Sequence, residues 1–185
     1  MASVASPMAA NATNGNEEVI AGFSRDDFIE AAATEGVSTD VASQAWGDLD
    51  AMSRIPIHSE LTGGGKADSV TSEVGVLAAV ANYSASCTYQ RTNLFGGVLQ
   101  HFKVNKAWQV NSTVNNVIPN GTSINAYGGY SWVYAGLVNS SDSYSGTSHS
   151  SYRMGLFDTS PSIEQENRWV RITGHKDGTY SCTNG

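Results

Sequence analysis

A period-two alternation in residues 98–110 constrains the fold of this chain more than any other feature. Most even positions carry apolar side chains, namely Val98, Phe102, Val104, Trp108 and Val110. Most odd positions carry polar ones, and this other face has Leu99 beside the polar His101, Lys103, Asn105 and Gln109. Successive side chains of a β-strand point to opposite faces, so this pattern predicts a strand with one buried face. Tyr130, Trp132 and Tyr134 repeat the even-position pattern. We therefore expect two neighbouring antiparallel strands around an aromatic core.

Shorter segments with strand character follow from about residue 74 onwards. They lie near residues 84–92, 122–127, 130–138, 151–157, 169–173 and 179–183. Pro119-Asn120-Gly121 predicts a turn, because proline fixes φ and Asn-Gly accepts positive φ. The polar segments 139–148 and 159–166 predict loops. Regularly spaced short strands are typical of a sandwich or a small barrel. The expected fold is mainly β: an antiparallel β-sandwich of about seven strands, with an N-terminal αα-hairpin and a flexible N-terminal arm.

Two helix signals precede the strands. Ser24 is a good N-cap with acidic residues in the first turn, and Gly36 is a suitable C-cap. Ser38 or Thr39 caps a second helix, on which Val41, Ala45, Leu49 and Met52 form one stripe. These two helices predict an αα-hairpin that is too small to bury a core alone. It docks either on the β domain or on another protein chain.

Composition divides the chain into four segments. Residues 1–19 are polar and of low complexity, which predicts a flexible arm. This arm either stays disordered or orders against a partner, by joining a sheet edge or filling a cleft. Residues 20–56 form the helical hairpin, and residues 57–73, with Thr62-Gly-Gly-Gly-Lys-Ala-Asp-Ser69, form a linker. Residues 74–185 form the β domain. We also expect that an export signal has been removed ahead of residue 1.

Charge and hydropathy exclude two classes of partner. The net charge is −7, from 17 acidic and 10 basic residues, and no basic patch stands out. A protein that neutralises phosphates needs such a patch, so nucleic acid is not an expected partner. No segment of about 18 apolar residues occurs, so we expect no membrane span.

The two cysteines, Cys87 and Cys182, bear on the compartment. They are either free buried thiols or one disulfide that ties the C-terminus to the start of the β domain. We favour the disulfide, which requires an oxidising compartment, and therefore expect a secreted, extracellular protein.

Catalytic and metal-binding motifs are missing from the sequence. The four histidines, His58, His101, His149 and His175, are isolated and lack metal-ligand spacing. No G-x-S-x-G elbow occurs, and nearly all the acidic residues outside the helices fall in predicted loops or the linker. We expect no enzyme activity, no cofactor and no metal. A hydrolase assembled from scattered serine, histidine and acidic residues stays an alternative.

Aromatic residues are the remaining functional signal. Alternating rings on strands predict core, but exposed rings stack on sugars or anchor protein interfaces. Tyr127 and Tyr144 stand in Gly- and Ser-rich surroundings and are the best candidates for exposure. Phe28 and Trp46 of the hairpin are further candidates for contacts with a partner or a glycan.

Five motifs support a family resemblance over residues 84–183. They are Arg91-Thr-Asn-Leu-Phe-Gly96, Trp108-Gln-Val-Asn111, Tyr130-Ser-Trp132 with Gly136, Ser151-Tyr-Arg153, and Trp169-Val-Arg-Ile-Thr-Gly-His-Lys-Asp-Gly-Thr179. In these motifs the chain resembles a family of small secreted β-sandwich proteins of actinobacteria. Its layout, an arm before a compact β domain, is similar to the adaptor subunits of actinobacterial umbrella toxin particles. That similarity implies a bridge between a large toxin chain and a lectin-like subunit.

Together these features predict a secreted, non-catalytic interaction module. Its expected role is that of an adaptor subunit in an extracellular antibacterial toxin assembly, with other secreted proteins as partners. The alternatives are a protein that binds glycan or cell wall, and a secreted hydrolase.

Overall fold

A computed structural model describes residues 18–74, 78–111, 116–159 and 164–185 of the chain. Most of the predicted arm at 1–19 and the centre of the predicted loop at 159–166 lie outside the described residues. Within them the chain is mainly β, with antiparallel sheets and a few helices. None of these helices has the length and apolarity needed to cross a membrane.

Three helices precede ten strands in this part of the chain. The helices are α1 (Arg25–Thr34), α2 (Thr39–Ala45) and α3 (Leu49–Met52). The strands are β1 (Pro56–Thr62), β2 (Gly65–Lys66), β3 (Asp68–Val74), β4 (Ala78–Asn93), β5 (Val98–Asn111), β6 (Asn116–Gly128), β7 (Trp132–Tyr144), β8 (Ser148–Thr159), β9 (Gln165–His175) and β10 (Thr179–Asn184).

The first helix agrees with the prediction from the sequence, whereas the second does not. Ser24 caps α1 in a capping box with Asp27, as its side chain accepts from the backbone of the third helical residue. The predicted second helix is broken into α2 and α3. Gly47, at φ +86°, ends the first piece, and Asp48 caps the next. The predicted stripe is therefore not one buried face: Val41 and Leu49 are exposed.

The strands form two antiparallel five-stranded sheets. The first sheet has the order β1-β4-β5-β6, with β3 pairing the N-terminal half of the long strand β4, and the second has the order β2-β10-β9-β8-β7. The segment predicted as a linker, residues 57–73, is thus largely strand. Its strands β1 and β3 form one edge of the first sheet, where a polar sequence is tolerated. The β structure starts at residue 56 and not at residue 74.

Three further expectations about the strands are corrected. The segments 98–110 and 130–138 are not neighbours, because β5 pairs with β4 and β6, whereas β7 lies in the second sheet. Pro119-Asn120-Gly121 lies inside β6 and forms a bulge opposite β5, a place that proline and glycine accept on an edge strand. The predicted loop 139–148 is mostly strand, since β7 extends to Tyr144.

Both sheets contribute to one apolar core. The first sheet supplies Cys87, Tyr89, Leu99, Phe102 and Val104, and the second supplies Trp132, Phe157, Val170 and Ile172. A disulfide joins Cys87 of β4 to Cys182 of β10, with Cα atoms 5.7 Å apart. It links the two sheets through this core.

The helices pack on the end of the β structure. Phe28, Ala32, Ala42, Ala45 and Met52 form a second buried cluster with Leu94, which lies in the turn between β4 and β5. Asn93 Nδ2 donates to the carbonyl of Ser53 at 2.6 Å. The helical hairpin therefore docks on the β region of its own chain, one of the two arrangements that the sequence left open.

Candidate binding face

The outer face of the first sheet carries the candidate site. It is formed by the side chains of β1, β3, β4, β5 and β6 that point away from the core, which on β5 are the odd-numbered ones His101, Lys103, Asn105, Ala107 and Gln109. The even-numbered neighbours Phe102, Val104 and Trp108 are completely buried. The alternation therefore separates a core face from a solvent face on the same strand.

A groove of about 520 Å³ crosses this outer face. Two cross-strand rows form its floor: Asp68–Ser84–Ala107–Gly121 and Ser86–Asn105–Ser123. The lining also includes the alternate residues of the same strands, whose side chains face the core: Ala85, Lys106 and Thr122. Small side chains in the centre of three strands leave a depression between rows of longer ones. On one side of it Gln109 Nε2 donates to Asn82 Oδ1 at 2.8 Å. Except for Asp68, the polar side chains on this floor are uncharged hydroxyls and amides.

Two stacked rings lie on the same face, beyond one end of the groove. His101 of β5 and Tyr127 of β6 are direct cross-strand partners, with ring centroids 4.5 Å apart and planes inclined by 15°. His101 Nδ1 lies 3.4 Å from Gln90 Oε1 of β4. Burial, and then the neighbouring Lys103, lower the pKa of His101, so its ring is neutral at neutral pH. The imidazole backs one face of the tyrosine ring, and Tyr127 is 47% exposed.

A buried polar cluster lies on the opposite side of the first sheet, inside the core. Lys106 Nζ donates to Ser151 Oγ at 2.6 Å and contacts His149 Nδ1, and the Thr122 hydroxyl lies 2.9 Å from Ser151 Oγ. Lys106, His149 and Ser151 are all buried. Arg153 donates to both carboxylate oxygens of Asp142 nearby. This arrangement joins β5 and β6 of the first sheet to β8 of the second.

Burial governs the protonation of this cluster. It lowers the pKa of Lys106 to about 8, although Asp142 acts in the opposite direction. Burial and the charge of Lys106 also lower the pKa of His149. Neutral His149 can then accept a hydrogen bond from the ammonium group through Nδ1. A lysine beside a serine hydroxyl is chemically able to activate it, but Ser151 is completely buried.

A buried ionic network fastens the helices to both sheets. Arg91 of β4 donates through Nε to Glu35 Oε2 at 3.1 Å and through Nη2 to the Glu35 carbonyl at 2.6 Å. It also pairs with Glu166 of β9, which accepts from Gln100 and Arg168. Burial would raise the pKa of Glu166, but these partners together hold that pKa below its usual value. The network lies at the end of the first sheet next to the helices.

The residues proposed from sequence as partner contacts lie in three different surroundings. Tyr127 belongs to the ring pair described above, and Tyr144, 53% exposed, lies at the end of β7 in the second sheet. Trp46 is half-buried and packs on Phe28, with ring centroids 5.6 Å apart. Phe28 itself is fully buried in the helical cluster and cannot contact a partner without unfolding. Of these four residues, Tyr127 alone lies on the outer face of the first sheet, and the one contact among them is that of Trp46 with Phe28.

Sequence reasoning missed most of the residues that matter here. His101 appeared only as a solvent-face residue, since its partner Tyr127 depends on the pairing of β5 with β6. Lys106 occupies an even position of β5, so the alternation placed it on the core face; that position was the available signal. Its partners on β8 are His149 and Ser151, and no pattern in the sequence around them predicts this contact. In the described residues no group of three or more His, Cys, Asp or Glu side chains is arranged to hold a metal ion.

Comparisons with protein-family models, with curated proteins and with solved structures found no match to this chain.

Proposed function

We propose that this protein is a non-catalytic binding module, and that its ligand lies on the outer face of the first sheet. The observation that carries the proposal is the coexistence, on one exposed face, of the groove and the His101–Tyr127 ring pair. A concave floor with several hydrogen-bonding groups next to an exposed ring provides both orientation and contact area for a ligand.

The chemistry of the buried cluster favours binding over hydrolysis. Lys106 and Ser151 are the nearest approach to a base and a nucleophile among the described residues. Lys106 lines the groove, but its Nζ is bonded to His149 and Ser151 in the core, and Ser151 is completely buried and does not line the groove. A nucleophile has to reach the reacting atom, so we do not assign this pair to a secreted hydrolase.

We further propose that the protein works outside the cell and that its fold is an antiparallel β-sandwich. The Cys87–Cys182 disulfide supports an oxidising compartment, because such bonds are rare where thiols are kept reduced. The two sheets that share one core support the sandwich, with ten described strands in place of the seven expected.

A charge placed in the groove tests the binding face. Ser86→Arg puts a long cation on the floor, and Ser140→Arg adds the same charge to an exposed position of β7 in the second sheet. Wild-type and variant proteins are immobilised and exposed to native culture fluid and to native cell-wall fragments. We expect Ser86→Arg to lose a component that wild type and Ser140→Arg both retain. If all three retain the same components, the outer face is not the binding surface.

A second candidate function is that of an adaptor between secreted proteins, such as a large toxin chain and a lectin-like subunit. Three exposed apolar residues favour it: Phe95 in the turn before β5, Tyr130 in the turn before β7, and Val133 at the start of β7. Tyr130 has a φ of +58°, which is uncommon for a tyrosine and occurs often at functional positions. Its ring lies directly on Gly97, where no Cβ would fit.

Purification from native culture fluid separates this candidate from the first. An adaptor co-elutes with other secreted chains, and deletion of residues 1–19 or Tyr130→Ser removes one of them. If the protein elutes as a monomer, and neither deletion of the arm nor Tyr130→Ser changes its elution, it is not an adaptor.

A further inference from the structure

We infer that the outer face of the first sheet binds an uncharged polysaccharide, with one sugar unit on the Tyr127 ring and the following units in the groove. The inference rests on the proposed function, since it names the ligand class of the same face. It is drawn from three properties of that face: its charge, its stacking surface and its length.

The charge on the face disfavours an anionic ligand. The groove floor carries one carboxylate, Asp68, and no cation, because the ammonium group of Lys106 points into the core. Lys103 is the one cation among the outward residues of β5, and Glu60 of β1 lies on the same face. A phosphate- or sulfate-bearing chain needs several cations along its path. A neutral chain with many hydroxyls needs donors and acceptors, which Ser84, Asn105 and Ser123 provide.

The ring pair provides the stacking surface. Tyr127 stands on β6, the edge strand of the first sheet, and His101 covers the side of its ring that faces β5. With His101 on one side, Tyr127 is still 47% exposed, so part of its ring surface is accessible to a ligand. An aromatic ring held by a neighbour has little rotamer freedom to lose on binding, which favours tight stacking.

The length of the face requires several sugar units. Asn105, at the near end of the groove, follows His101 by four residues on the same strand. At about 3.3 Å per residue, the ring pair and the groove lie roughly 13 Å apart. A single sugar cannot contact both, so the ligand is an oligosaccharide or a longer chain that lies along the strand direction.

Calorimetric titration with five uncharged pentasaccharides tests this inference: cellopentaose, xylopentaose, laminaripentaose, mannopentaose and N-acetylchitopentaose. Heparin and polygalacturonate serve as anionic probes. We expect at least one neutral probe to bind wild type, and Tyr127→Ala and Asn105→Ala each to weaken that binding by about tenfold or more. Tyr144→Ala is the matched control, since Tyr144 has a similar exposure and lies in the second sheet. It should leave the affinity unchanged. Near-ultraviolet circular dichroism verifies that each variant is folded.

Three outcomes overturn the inference. They are binding to none of the neutral probes, preference for an anionic probe, and an equal loss with Tyr144→Ala and Tyr127→Ala. The proposed function fails separately, when Ser86→Arg retains every component of culture fluid and cell wall that wild type retains. A protein that fails with the pentasaccharides but loses a partner with Ser86→Arg is a binding module for another ligand class.

Discussion

Replacement of Lys106 by methionine should change the pH dependence of stability in a predictable direction. Burial lowers the pKa of Lys106 from 10.5 to about 8 in the folded protein. The unfolded chain keeps this proton up to about pH 10.5, whereas the folded protein releases it near pH 8. Between these values the unfolded state binds more protons, so the stability of the wild type rises with pH.

The magnitude follows from the size of the pKa change. One pKa unit corresponds to about 1.4 kcal/mol, so a protonated Lys106 costs the folded state about 3 kcal/mol below pH 8. Methionine has a similar length and no charge, so this cost is absent in Lys106→Met. The variant also loses the hydrogen bond to Ser151, which acts at every pH. The difference in unfolding free energy between wild type and Lys106→Met should therefore shift by about 2.5 kcal/mol in favour of wild type from pH 7 to pH 10.

Urea unfolding, followed by tryptophan fluorescence at pH 7, 8, 9 and 10, measures this difference. Titration of groups that do not interact with Lys106 contributes equally to both proteins and cancels. Lys103→Met serves as a control for removal of a lysine from β5, because Lys103 lies on the outer face of the same strand. If the unfolding free energies of wild type and Lys106→Met stay parallel across this range, Lys106 does not have the lowered pKa on which the argument depends.

Three further changes test what holds the fold together. Arg91→Met leaves Glu35 without a counter-charge and Glu166 with Arg168 alone, and it should lower the free energy of urea unfolding by about 3–5 kcal/mol; a loss below about 1 kcal/mol would show that the network is solvated. Replacement of both Cys87 and Cys182 by serine should cost about 2–5 kcal/mol, and reduction of the wild type should raise its intact mass by about two hydrogens. An unchanged mass contradicts the disulfide. Gly174→Ala places a Cβ 2.8 Å from the Trp108 ring and should lower the thermal midpoint, at a cost of about 1–3 kcal/mol. An unchanged midpoint would mean that the ring moves aside freely.

The sequence predicted strands well where one face is buried. The alternation at 98–110 corresponds to β5, Val98–Asn111, because core and solvent faces place opposite demands on successive residues. The strands β1 and β3 were missed for the complementary reason. They lie at the edge of the first sheet, where a polar composition like that of a linker is tolerated.

Strand pairing and the buried contacts could not be predicted from local patterns. The segments 98–110 and 130–138 share an aromatic alternation because both face the same core, and not because they are adjacent in a sheet. A shared core is therefore weak evidence for pairing. The candidate site has the same limit: exposure of Tyr127 followed from its Gly-rich surroundings, but its stacking on His101 depends on the register of β5 with β6.

The inward face of β5 explains how the outer face keeps its shape. Its side chains include two polar residues, Gln100 near the helices and Lys106 below the groove, each bonded to the second sheet. If one sheet slid against the other, both would be buried without partners, at a cost of about 1–3 kcal/mol or more each. Because Asn105 and Ala107 flank Lys106, the contact that fixes the sheets also fixes the groove floor. The buried lysine lowers stability at neutral pH, and we interpret its role as fixing a single alignment of the two sheets. A binding face built on rigid strands needs such an alignment more than it needs maximal stability.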